Sequence, residues 1–62
     1  MTLEEFFSKK GAPDVREFAA KNGVSYTTVK ACRRGMKLKM YNIAKKISDG
    51  TRGQVTVEEL CE

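Results

Sequence analysis

Residues 22–35 read NGVSYTTVKACRRG. Gly23 is a residue free to adopt positive φ, and Ser25 offers a hydroxyl that can cap a helix. The spacing predicts a helix over 25–34, stopped by Gly35. With Val29 at the inward centre of that helix, Cys32 lies beside it at the i+3 spacing. Thr27, Lys30, Ala31 and Arg34 then point outward, while Arg33 lies nearer the core side of the helix. Thr27, Thr28 and Val29 are β-branched, so helix propensity is mediocre and packing must hold this segment.

The residues just upstream predict a second helix that starts around Pro13 and ends at Gly23. Proline fits a first helical turn because the N–H it lacks has no partner there. Asp14 suits the positive end of the helix dipole. Val15, Phe18 and Ala19 make the apolar face. Two short helices joined by a tight turn must cross steeply. Ala19 is small enough for a near crossing, and Val24 and Val29 plug the angle between the helices. This is a helix-turn-helix pattern, a geometry that can lay the second helix in the major groove of DNA.

The flanks read as further helices. Thr2 and Glu5 have the spacing of a capping box, with Leu3, Phe6 and Phe7 on one face and Gly11 stopping the helix near Lys10. Met40, Ile43, Ala44 and Ile47 repeat at helical spacing and predict a helix over about 39–48, with Gly50 and Gly53 breaking the chain after it. Thr56 and Glu59 repeat the capping-box spacing and favour a short fifth helix over 57–61. Residues 54–57, Gln-Val-Thr-Val, also read as a short strand. The fold class that results is all-α, a small bundle of four or five short helices forming one domain over 1–62. The expected core joins Leu3, Phe6, Phe7, Val15, Phe18 and Ala19 to Val24, Val29, Cys32 and Leu38. Met40, Ile43, Ala44, Ile47, Val55 and Leu60 complete it.

Charge is distributed unevenly. The chain carries a net charge of +4. Between Phe18 and Ser48 the charged residues are Lys21, Lys30, Arg33, Arg34, Lys37, Lys39, Lys45 and Lys46, with no Asp or Glu among them. The acids lie toward the two ends. Such a field suits a polyanion. Other classes find little to build on. The sequence has no histidine and only two cysteines, Cys32 and Cys61, far apart, so neither a zinc site nor another metal site is expected. Free thiols are expected over a disulfide. The chain has no signal-peptide pattern, which points to a reducing cytoplasm, and no apolar run approaches the roughly 20 residues of a membrane span. With no paired carboxylates, no phosphate loop and no base beside Cys32, neither an enzyme nor a cofactor is expected.

At these residues the chain resembles a known family. Ala19-x-x-x-Gly23-Val24-Ser25-x-x-x-Val29, closing at Gly35, is similar to the helix-turn-helix of the Cro/C1-type regulators. The opening Met1-Thr-Leu-Glu-Glu-Phe-Phe resembles the YdaS-like and Cro-like phage and prophage group. So does the tail, Ala44-x-x-Ile47 followed by Thr51-x-Gly53-x-Val55-Thr56-x-x-x-Leu60. The sequence departs from the pattern at Asn22, where leucine is usual, at Cys32, where a larger apolar residue is common, and at Gly50, where alanine is usual. The resemblance implies a lambda-repressor-like DNA-binding domain acting as a transcriptional repressor. By position it assigns Tyr26, Thr27 and Ala31 to base edges, with Lys30 beside them. Ser25 and Thr28 match phosphate contacts, which Arg33, Arg34, Lys37 and Lys39 would extend.

The partner implied is a double-stranded DNA operator, bound by a homodimer that forms in solution or only on DNA. Leu38, Met40, Tyr41 and residues 57–61 are the candidates for its interface. The alternative is a protein-interaction module on the same fold, an antitoxin or adaptor. The outward face of helix 25–34 discriminates: basic and polar side chains favour DNA, apolar ones a protein groove. RNA ranks third, for want of clustered exposed aromatics.

Overall fold

The computed structural model describes all 62 residues. Five helices succeed one another along the chain: α1 (Leu3–Ser8), α2 (Val15–Asn22), α3 (Tyr26–Arg33), α4 (Tyr41–Gly50) and α5 (Val57–Leu60). The class is all-α. Residues 54–57 form no strand; Thr56 instead caps α5, its hydroxyl accepting from the Glu59 N–H at 3.3 Å. The one β-like feature is an isolated parallel bridge between Leu38 and Cys61.

Local chemistry explains most boundaries. At α1 the Thr2 hydroxyl accepts from the Glu5 N–H at 3.1 Å, and the Glu5 carboxylate accepts from the Thr2 N–H at 2.9 Å. This reciprocal pair satisfies two N–H groups that the helix leaves unbonded. It also holds the Glu5 carboxyl below its ordinary pKa, the Thr2 backbone N–H being the main cause. The helix ends at Ser8, earlier than expected, and Lys9 turns away to donate to the Gln54 side chain at 2.8 Å. At α2 the cap is Asp14, whose carboxylate accepts from the Arg16 N–H at 3.0 Å. Pro13 therefore lies outside the first turn rather than within it.

The end of α2 sets the direction of α3. Gly23 is left-handed at φ 69°. The Val24 N–H reaches back to the Ala19 carbonyl at 2.9 Å and the Gly23 N–H to Ala20 at 3.3 Å, the paired bonds of a Schellman stop. Three residues later α3 begins. Its end repeats the device: Gly35 sits at φ 107°, and the Met36 N–H returns to the Ala31 carbonyl at 3.1 Å.

The fourth helix departs from expectation at both ends. It starts at Tyr41, not near 39. Leu38 is tied to the C-terminal segment, its N–H donating to Leu60 at 2.7 Å and its carbonyl accepting from Glu62 at 3.0 Å. These bonds pin the chain outside a helix until Met40, which caps α4 in an extended conformation and is 61% exposed rather than in the core. At the other end Gly50 does not break the helix but completes it. A Cβ there would meet the Asn22 amide at 2.7 Å, so the bare glycine makes room for the last side chain of α2. Asn22 in turn donates to the Phe18 carbonyl at 2.8 Å.

After α4 the chain turns through Arg52 and Gly53, both at positive φ. The buried Thr51 hydroxyl organises this turn, donating to the Ser48 carbonyl at 2.8 Å and accepting from the Val55 N–H at 3.1 Å. Val55 is thereby held fully in the core. Val29, Ala44 and Ile47 are also fully buried, and Phe6, Phe7 and Phe18 pack with ring centroids 5.2 to 5.9 Å apart. Phe6, Val15 and Ile43 border this core, half-buried.

Candidate nucleic-acid interface

α3 is held from behind. Val29 and Cys32 are buried against the other helices, so the opposite face of α3 must look outward. That face is the one expected from the sequence. Thr27, Lys30, Ala31 and Arg34 line one open depression, and Met36 joins them from the turn after the helix. Lys30 and Arg34 make no ion pair; the two pairs in the molecule are Arg33 with Glu4 and the Met1 amine with Glu59. Their charge is therefore uncompensated.

Tyr26 stands at the edge of this face, 37% exposed. The Arg16 guanidinium lies over its ring at 5.0 Å and the Lys30 ammonium at 6.0 Å. Both cations favour the electron-rich ring face. Arg16 extends the basic surface and is absent from the expected residues. In the sequence it sits beside Glu17, outside the acid-free interval, and only the crossing of α2 on α3 brings it to Tyr26. Ser25 is exposed and Thr28 half-buried; the Ser25 hydroxyl makes no capping bond, contrary to the role its position implies.

Two expected residues are set apart from this surface. Arg33 turns toward α1, its Nε donating to the Glu4 carboxylate at 2.7 Å and its guanidinium resting 5.6 Å from the Phe7 ring centre. The Arg33 hydrogen bond is the largest cause holding the Glu4 carboxyl below its ordinary pKa. Lys37 donates its ammonium to the Glu59 carbonyl and lines a different cleft with Arg33, Val55 and Leu60. The family resemblance grouped Arg33 with Arg34 as phosphate contacts, but one residue of helix turns a side chain by about 100°, and Arg33 takes the core-side direction its periodicity gives. Lys39 remains exposed.

Cys32 and Cys61 are free thiols. Burial raises the Cys32 pKa, with the Cys61 sulfur adding to the effect and Lys37 opposing it. Of the expected interface residues between copies, Leu38 and Leu60 are buried in the core, whereas Met40 and Tyr41 are exposed. No helix is long and apolar enough to cross a membrane.

No family model, curated protein or solved structure matches the chain.

Proposed function

We propose that the protein is a sequence-specific DNA-binding transcriptional regulator of the Cro-like type. In this reading α2, the turn at Gly23–Val24–Ser25 and α3 act as a helix-turn-helix. The observation that carries it is the outward face of α3, where Thr27, Lys30, Ala31 and Arg34 share one open surface and neither cation has an acidic partner. An α-helix with its side chains is about 10–12 Å across, which fits a major groove about 12 Å wide. Base edges then face Tyr26, Thr27, Lys30 and Ala31. Phosphates face Ser25, Thr28, Arg16 and Lys39.

Size bears on stoichiometry. The longest dimension of the molecule is 28 Å, less than the roughly 34 Å of one turn of duplex. One copy covers a half-site, so two copies on a two-fold operator form the repressing complex, which blocks a promoter in the cytoplasm. Binding-site selection from random duplexes at controlled salt tests the reading. Enrichment of one short motif is expected, and its absence at low salt refutes regulation by DNA reading. A second reading, a protein-interaction module, draws on the adjacent exposed Met40 and Tyr41. It predicts that substitutions there, and not on α3, abolish function in the cell.

A further inference from the structure

We infer that Arg34 and Met36 determine base preference, Arg34 by reading a guanine and Met36 with Ala31 by receiving a thymine methyl group. The inference rests on the DNA-binding reading and deepens it, because sequence position alone assigns Arg34 to the backbone and gives Met36 no role.

The geometry starts with Arg34. Seven residues separate it from Thr27, which on a helix returns a side chain to within about 20° of the same direction. Arg34 therefore projects along the centre of the outward face, two turns from its beginning, and lines the same depression as Thr27 and Lys30. Its backbone is fixed, with its N–H on the Lys30 and Ala31 carbonyls at 3.2 and 3.1 Å. Its guanidinium has no protein partner, whereas that of Arg33 is held by Glu4. A free fork on a rigid base matches the O6 and N7 acceptors of guanine, which present a paired edge in the major groove.

Met36 supplies the second half. Gly35 reverses the chain, and the bond from the Met36 N–H to the Ala31 carbonyl at 3.1 Å sets the two residues side by side. Met36 is 48% exposed, a large apolar side chain set among cations rather than in the core. A surface that gripped phosphate alone would gain nothing from that apolar wall. The 5-methyl of thymine is the apolar group that the major groove offers.

The experiment uses the duplex enriched by the wild-type protein, with single guanines replaced by 7-deazaguanine and single thymines by uracil. These changes remove N7 or the methyl and leave the protein untouched. Wild type should lose about five- to hundredfold at one guanine, the range of a bidentate contact. It should lose about fourfold at one thymine, the worth of one buried methyl group. Arg34→Ala removes the donors, so it should bind the guanine and 7-deazaguanine duplexes equally, while wild type still tells them apart. Met36→Ala should no longer distinguish thymine from uracil. If Arg34→Ala keeps the full guanine preference, or weakens selected and random duplexes alike, Arg34 is a phosphate contact and the inference fails while DNA binding stands. If Met36→Ala still discriminates the methyl, the Met36 half fails. If wild type enriches no motif, the inference falls together with the function it rests on.

Discussion

Gly50→Ala should change sign with the residue at position 22. Glycine inside a helix is about 1 kcal/mol worse than alanine, and Gly50 has no positive φ to protect, so the substitution in isolation should stabilise α4 by up to about 1 kcal/mol. The structure opposes this. The new Cβ would lie 2.7 Å from the Asn22 amide atoms, so that amide must move. Moving it breaks the 2.8 Å bond to the Phe18 carbonyl, a loss of about 1 kcal/mol. An off-rotamer side chain adds a further 0.5–1.5 kcal/mol, roughly. The balance is a loss of about 0.5–1.5 kcal/mol, or several degrees in Tm for a domain of this size. In an Asn22→Ala background the obstruction is gone, and Gly50→Ala should raise Tm instead. Thermal and urea unfolding of the four proteins gives the coupling directly, expected at about 1 kcal/mol or more. Equal stabilisation by Gly50→Ala in both backgrounds would show that Asn22 swings aside at no cost, and the packing argument would be wrong.

Thr51→Val removes the hydroxyl that accepts from the buried Val55 N–H, and should cost about 1–3 kcal/mol, with Thr51→Ser close to wild type in urea unfolding. Glu4, whose folded pKa lies below the reference value of 4.5, binds its proton more readily when unfolded. Its ion pair with Arg33 therefore supports the fold above that pH and is lost as pH falls through the depressed folded value. Glu4→Gln should flatten this part of the acid limb of stability against pH, and an unaltered slope would count against the pair. On a selected duplex Lys30→Ala should weaken binding by about 1–3 kcal/mol. Lys37→Ala, its ammonium held by the Glu59 carbonyl, should leave the salt slope unchanged; a drop of about one unit would return it to the phosphate contacts.

Two of the three places where the sequence departs from the Cro/C1-like pattern, Asn22 at the end of α2 and Gly50 at the end of α4, are one contact. No local rule could join them, since they lie on different helices. By its local sequence Gly50 is a helix breaker. In the fold it is the residue that lets α2 approach α4.

What the chain determined by itself is local. Thr2 and Glu5 form the full capping box their spacing implies, because those bonds close within four residues; at Thr56 and Glu59 only the hydroxyl half forms, the Glu59 carboxylate going to the Met1 amine. Gly23 and Gly35 end α2 and α3 because left-handed stops need the freedom of glycine. The inward positions Val29, Ala44 and Ile47 came from helical periodicity. Only the tertiary structure decided the rest. The Leu38 bonds to the C-terminal segment delayed α4 and left Met40 in solvent. The approach of α1 gave Arg33 its Glu4 partner, the crossing of α2 brought Arg16 to Tyr26, and the turn at Gly35 delivered Met36 to the face of α3. Each depends on partners distant along the chain, and a side chain's periodicity says which way it points but not what waits there.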